Sequence, residues 1–480
     1  MEEFIGRDKE LLLLENQYKS KRSSITVIYG RRRIGKSALI KRFTQGKEAL
    51  LTEGLEGEKT PEQITHFIYQ LSQQISDPLL TETAFKSWNA VFTYITKELD
   101  NKKKIVLVFD ELQWMAAKRS RLISIIKFFW DNHWKDKNVH LILCGSIASF
   151  MINKVLNSKA LYGRVSSQLH LKAFKPQEIF SFLQAKRWQK RDIGEILLYS
   201  LIFGGIPRYL EEIDTKKSLQ KNIEQLCFTD SGFFVKEFER IFYGQFKEAK
   251  SYLKIIHSLT QKPLSLAEIA KETKIPSGGG LRSLIQNLIE ADFIGLKRQF
   301  GTEQSSKLKK YYIIDEYLRF YFKYIKPHLN LIVDIQAPDI FKQKIVPHWN
   351  QWLGLAFENF CLKNGYLLAQ QMNFEQETIE IASFSPTKKT PAQFDILFKR
   401  ADKTIVIGEI KYNNEPISTK IIPELEAKIK HLPIPRGYSV ETALISKSGA
   451  SKPLHESQYF NYEVQIEELF LDHSTHNKWR

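Results

Sequence analysis

Val27-Ile28-Tyr29-Gly30-Arg31-Arg32-Arg33-Ile34-Gly35-Lys36-Ser37-Ala38-Leu39-Ile40 sets an apolar run, a Gly-x-x-x-x-Gly-Lys-Ser turn and a helical pattern in direct succession. That order is what a phosphate-binding loop requires. Gly30 and Gly35 let the backbone double back, so that successive amides from Arg31, Arg32, Arg33 and Ile34 through Ala38 face a polyphosphate. The helix that follows adds the positive end of its dipole. Lys36 then reaches the β- and γ-phosphates, and the Ser37 hydroxyl is placed to ligate Mg²⁺. The spacing implies binding of a nucleoside triphosphate.

Roughly seventy residues downstream stands Lys104-Ile105-Val106-Leu107-Val108-Phe109-Asp110-Glu111. An apolar run ending in two carboxylates predicts a buried parallel strand that delivers acids to its C-terminal edge. Asp110 is expected to hold Mg²⁺ through water, and Glu111 to orient or deprotonate the attacking water. His140-Leu141-Ile142-Leu143-Cys144-Gly145-Ser146 predicts another strand. Ser146 at its end either senses the γ-phosphate or is a small residue in a strand-to-loop turn. Between the strands, Leu122 to Trp130 has the spacing of a core helix. Arg164, in Leu161-Tyr162-Gly163-Arg164, is a candidate arginine finger, and Phe203-Gly204-Gly205-Ile206-Pro207 predicts a rigid turn in a helical region.

The 480 residues exceed one hydrophobic core and suggest about three domains. A 43% hydrophobic and 26% charged composition is that of a globular chain. Cys144, Cys227 and Cys361 form no metal-ligand or disulfide spacing, as expected in a reducing cytoplasm. The opening Met1-Glu2-Glu3-Phe4 lacks the order of a signal peptide, and no apolar run approaches the ~18 residues of a membrane span, so no membrane partner is expected. A formal net charge of +17 predicts a polyanionic partner, DNA ahead of RNA, although lysine-rich solvated faces give the same excess.

Ile5-Gly6-Arg7-Asp8, the Gly-Arg-Arg-Arg-x-Gly-Lys-Ser loop, Phe-Asp-Glu, Leu-Tyr-Gly-Arg and Gly-Gly-Ile-Pro occur in this order over about residues 1 to 240. Together they resemble the archaeal-type prokaryotic ATPases, on the AAA+/STAND side of the P-loop NTPases. The resemblance implies that Gly6, Arg7 and Pro207 lie near an adenine, so that the nucleotide is ATP. It also implies that Arg164 faces a nucleotide, within one chain or across an interface formed by self-association of the ATPase domain.

Residues 174 to 250 carry dense helical periodicity and look like the helical lid of such ATPases. Further on, Pro263 to Thr273, a Gly278-Gly279-Gly280 turn, the Leu281, Leu284, Ile285, Leu288, Ile289 pattern and two short strand patterns predict a winged helix. Read as a DNA-binding unit, it presents Arg282 and Gln286 on its second helix and Lys297 and Arg298 on its wing. Read otherwise, it is an interdomain scaffold.

From about residue 340 the character changes. Phe394-Asp395-Ile396-Leu397-Phe398 and Thr404-Ile405-Val406-Ile407-Gly408-Glu409-Ile410-Lys411 read as strands, the second with Glu409 and Lys411 on one face. With Asp395 on the neighbouring strand, this is the minimum set for Mg²⁺-dependent phosphodiester cleavage: Asp395 and Glu409 on the metal, Lys411 on the attacking water. The arrangement resembles the PD-(D/E)XK nucleases, which also implies a metal role for the helical acid Glu358. Relatives often carry Glu-x-Asp at the first site, where this chain has Gln393.

The expectation is thus an α/β chain with a P-loop parallel sheet over 1–173, a helical lid over 174–250, a winged helix over 251–330 and a restriction-endonuclease-like α/β domain over 340–480. In function the expectation is an ATPase coupled to a nucleic-acid-binding C-terminal domain that carries the residues for Mg²⁺-dependent DNA cleavage. The alternative is an ATP/ADP switch whose last domain binds nucleic acid or protein without cutting.

Overall fold

The computed structural model describes residues 4–75, 77, 80, 82–99, 103–116, 120–186, 188, 192–246, 249–297, 300–301, 309–384, 386 and 391–471. It divides into two compact units, Met1–Ala173 with Gly244–Lys247, and Phe174–Tyr243 with Glu248–Arg480. Arg298 lies outside the described residues. Among the described residues no helix is long and apolar enough to cross a membrane.

The first unit is built on a five-stranded parallel sheet: β1 (Ser24–Tyr29), β2 (Ala49–Glu53), β3 (Ile105–Asp110), β4 (Val139–Gly145) and β5 (Ser167–His170), in the order β2-β3-β4-β1-β5. Parallel neighbours need crossovers, which the Lys36–Thr44, Thr60–Ser72, Trp88–Glu98 and Leu122–Phe129 helices supply. Every residue of β1, β3 and β4 is buried, which explains their unbroken runs of Ile, Val and Leu. Under β3 the rings of Phe92 and Phe109 stack at 5.6 Å, with Phe67, Phe129 and Trp134 edge-on to Phe92.

The exposed edge, β2, is closed by side chains. Gln74 donates to the Leu51 carbonyl at 2.7 Å and accepts from its amide at 2.8 Å. Gln70 makes the same pair at Glu53, at 2.9 and 2.8 Å. Four helical residues advance about 6 Å and two strand residues about 6.6 Å, so two glutamines one turn apart imitate a neighbouring strand.

The second unit begins with helices. Lys175 donates its amide to Glu178 at 2.9 Å and opens the Pro176–Ala185 helix. The Ile193–Phe203 helix ends at Gly204 (φ 67°), and the Phe174 amide donates to the Gly205 carbonyl at 2.7 Å. A Cβ at Gly205 would collide with the Phe174 backbone, and Pro207 starts the next helix. Then come the Ala249–Ser258, Leu266–Thr273 and Gly279–Glu290 helices and an antiparallel pair, β6 (Ile294–Lys297) and β7 (Lys310–Ile313). Leu264 adds an antiparallel bridge to Tyr311.

A separate sheet closes the chain: β8 (Thr378–Phe384), β9 (Phe394–Arg400), β10 (Thr404–Lys411), β11 (Ser439–Ser446) and β12 (Tyr462–Gln465), in the order β12-β11-β10-β9-β8. β8, β9 and β10 pair antiparallel, whereas β10, β11 and β12 pair parallel. The Trp349–Lys363 helix packs on β8, β9 and β10. Phe394, Leu397, Ile405, Ile407, Leu425 and Leu444 form the buried core of this part.

Candidate active site

Strand β1 ends where the loop begins, and the loop is held by its own backbone. Gly30 has φ 157°, and a Cβ there would run into the Leu171 carbonyl. Arg33 and Gly35 take left-handed φ values of 70° and 90°, and Gly35 caps the Lys36–Thr44 helix. Ile34 is buried, while Ser37 and Ala38 at the helix start are exposed. Lys36 is only 6% exposed, and its Nζ donates to the Gly30 and Arg31 carbonyls at 3.0 and 3.1 Å. The ammonium thus spans the loop, holding carbonyls that a phosphate oxygen would replace.

The register places the acids of β3 opposite this loop. Ser37 Oγ donates to Asp110 Oδ2 at 2.8 Å. A hydroxyl and a carboxylate in contact at a helix N-terminus are a hard-oxygen pair that fits Mg²⁺. Glu111 takes a left-handed φ of 48° at the strand end. Ser146 Oγ, fully buried at the end of β4, donates to Glu111 Oε2 at 2.6 Å. Gln113 Nε2 donates to both Glu111 Oε2 and Ser146 Oγ, the latter at 3.1 Å. Gln245 donates from Nε2 to the Ser146 carbonyl at 2.9 Å, which ties the returning 244–246 segment to the site. Burial, then Asp110 and Glu111, raises the carboxyl of Glu53 at the end of β2, the mark of an electronegative corner.

The arginines take different positions. Arg7 is buried, and its Nη2 donates to the Ile34 carbonyl at 2.9 Å and the Lys172 carbonyl at 2.7 Å. The Gly6-Arg7 turn, with φ values of 73° and 64°, therefore braces the phosphate loop. Arg32 reaches Glu56 at 2.8 Å. Arg31 is buried beside Lys36. Arg164 lies in a two-pronged pair with Asp131, Nε to Oδ1 at 2.7 Å and Nη2 to Oδ2 at 2.9 Å, and it also donates to the Tyr162 carbonyl. The Arg164 hydrogen bond, and after it Lys127, holds the Asp131 carboxyl below its ordinary range. A role for Arg164 on phosphate requires it to leave Asp131. Pro207 belongs to the second unit.

In the C-terminal sheet, antiparallel pairing of Gly408 with Ile396 sets Asp395 opposite Glu409 on one face. The Ile410 amide donates to Asp395 Oδ2 at 3.1 Å. Glu409 is 2% exposed and receives Lys428 Nζ on both oxygens, at 2.7 and 2.9 Å. Lys411 Nζ is 2.8 Å from Glu409 Oε1. Burial lowers the Lys411 ammonium, but Glu409, Asp395 and Glu424 together outweigh it and the net direction is up. Burial, then Glu409, raises Asp395. Glu358, on the Trp349–Lys363 helix, is pushed up to about 7 by burial first and Asp395 second.

Among the described residues no three His, Cys, Asp or Glu side chains are grouped so as to hold a metal ion. Glu358, Asp395 and Glu409 are electrostatic neighbours but do not form the ready three-carboxylate set expected of them, and Glu409 is already neutralised by two lysines. Lys428 was missed in the sequence because it sits seventeen residues after Lys411 on the Ile421–Ile429 helix, outside any spacing pattern. Gln113, Gln245 and Glu53 carried no motif signal either.

Residues 4–213 match the model of an ATPase domain found predominantly in Archaea, and residues 321–422 match archaeal and bacterial proteins of unknown function. An uncharacterized protein of Methanocaldococcus jannaschii is 30% identical over 359 residues, 74% of this chain and 75% of its own length. An uncharacterized ATP-binding protein of the same organism is 26% identical over 272 residues, 47% of this chain and 74% of its own. The solved Walker-type ATPase of Pyrococcus abyssi shares 20% identity with a TM-score of 0.49, covering 67% of this chain and 96% of its own.

Proposed function

The chain belongs to the family of ATPases found predominantly in Archaea, and from that premise we propose that it hydrolyses ATP at the Lys36 loop and uses the cycle to govern a nucleic-acid-directed C-terminal domain. The observation that carries the first half is the pair of short contacts Ser37–Asp110 and Glu111–Ser146, 2.8 and 2.6 Å, set side by side by β1, β3 and β4. Ser37 and Asp110 are the residues that would hold Mg²⁺, which supplies charge neutralisation at the β- and γ-phosphates. Lys36 exchanges the Gly30 and Arg31 carbonyls for phosphate oxygens, and the loop amides from Arg31 to Ala38 take the rest. Glu111, fixed by Ser146 and Gln113, orients the attacking water and accepts its proton. Gly6 and Arg7 keep the loop in shape.

The second half is supported by the +17 charge and by the Asp395, Glu409 and Lys411 alignment on β9 and β10. The three-helix group with the β6–β7 pair is a winged helix, whose Arg282 and Gln286 face solvent. The C-terminal sheet, with its helix carrying Glu358, is a PD-(D/E)XK-like fold. A second reading, a switch that binds without cutting, is favoured by one observation: Glu409 is paired with both Lys411 and Lys428. Incubation of supercoiled, linear and single-stranded DNA and of RNA with Mg²⁺ or Mn²⁺, with and without ATP, separates the two. Cleavage lost in Lys411→Ala establishes the nuclease. Intact ATP hydrolysis with no cleavage establishes the switch.

A further inference from the structure

Gln245 is the last residue of the Glu237–Gln245 helix and is only 3% exposed. Its Nε2 donates to the Ser146 carbonyl at 2.9 Å, and the Ser146 hydroxyl donates to Glu111 Oε2 at 2.6 Å. One residue earlier, Gly244 lies against the Arg32 guanidinium, and a Cβ there would collide with it. The carbonyl end of a helix favours such a cation. The helix end is therefore seated at two places, on the phosphate loop through Arg32 and on the end of β4 through Ser146.

The side-chain amide of Gln245 is held from one side. Its Oε1 is buried and finds no hydrogen-bond partner among the described residues. A buried carbonyl left unmet costs stability, so an apolar side chain of the same length would serve packing better. What the amide supplies is a donor to the Ser146 backbone. Ser146 is fully buried, and a hydroxyl-to-carboxylate contact of 2.6 Å tolerates little shift of the peptide behind it. A donor carried on a helix holds that peptide more precisely than one on a loop.

We propose that Gln245 is a positioning residue for ATP hydrolysis: it fixes the Ser146 peptide, and Ser146 in turn aims Glu111 at the attacking water. The inference rests on the ATPase reading of the Lys36 site and adds to it a residue that acts through Ser146.

The test is steady-state ATP turnover by the full chain, with kcat and KM read separately. Gln245→Met keeps the length of the side chain and removes the donor. Its kcat should fall about fivefold while KM for ATP stays within about twofold of wild type. Because the effect passes through the Ser146 hydroxyl, adding Gln245→Met to Ser146→Ala should lower kcat no further. Gln245→Glu gives a second readout. Its carboxyl donates to the Ser146 carbonyl only when protonated, and burial raises the pH at which it ionises. Its kcat relative to wild type should therefore climb as pH falls from about 8 to about 6, a dependence that Gln245→Met should lack. Melting curves establish which variants are folded, and where Gln245→Met is not, the pH profile of Gln245→Glu decides. Wild-type kcat in Gln245→Met, a loss that adds in full to that of Ser146→Ala, or a pH-independent Gln245→Glu overturns the positioning role and leaves the ATPase reading standing. A change confined to KM does the same, since it places Gln245 on the nucleotide. No turnover by the wild-type chain overturns both.

Discussion

Strands β3 and β10 both carry acids near their C-terminal ends, and the partners of those acids differ in kind. At the end of β3, Asp110 and Glu111 are met by hydroxyls and amides from Ser37, Ser146 and Gln113. At the end of β10, Glu409 is met by two ammonium groups, Lys411 and Lys428. Neutral partners orient a carboxylate and leave its charge available to a cation or a water. Charged partners cancel it. The same local pattern therefore prepares one site for chemistry and holds the other neutralised, and what separates them is where lysines lie in the fold.

The comparison breaks most readily at the phosphate loop. Lys36→Ala removes a charge-assisted contact worth about 2–3 kcal/mol, so ATP affinity should fall by roughly a hundredfold in calorimetry. Unaltered affinity would mean the loop is not the nucleotide site. Next, Lys428→Met leaves the buried Glu409 with Lys411 alone. We expect a loss of about 1–2 kcal/mol in urea unfolding, less than for a wholly unpaired buried charge because one lysine remains. An unchanged midpoint would show that the C-terminal acid does not need its second cation.

Ser146→Ala sharpens the first site. It acts through Glu111, so ATP turnover should drop about tenfold while ATP affinity stays the same. A matching loss of affinity would place Ser146 on the nucleotide instead. The smallest effect concerns pH. Glu358 has its folded value raised from the ordinary 4.5 to about 7. The folded state therefore holds this proton more tightly, and stability falls as pH rises from about 4.5 through 7. Glu358→Gln cannot ionise, so its melting temperature relative to wild type should improve between pH 5 and pH 8. A pH-independent difference would mean Glu358 is not held in an apolar, acid-rich site.

Much of the first site was legible because its chemistry is contiguous. Gly30 to Ser37 folds on itself, and β3 delivers Asp110 and Glu111 at its own end, so local pattern and tertiary role coincide. The apolar runs marked β1, β3 and β4 because strands buried on both faces carry no alternation. What escaped depends on register and crossover. Gln113 and Gln245 reach Ser146 from a turn and from a distant returning segment. Arg7 and Arg164 looked like groups for a nucleotide, yet their guanidinium groups are held by backbone carbonyls and by Asp131. In the C-terminal sheet the β9–β10 register was implied by Asp395 and Glu409, but Lys428 comes from another element, and no spacing announces it.

We propose Glu111 as the catalytic base of the ATPase site that Lys36, Ser37 and Asp110 build. Single-turnover hydrolysis of ATP by Glu111→Gln, measured beside ATP binding on the same protein, tests it directly. Binding should stay within a few-fold of wild type while hydrolysis slows by at least about a hundredfold. Hydrolysis at the wild-type rate with binding intact would contradict it.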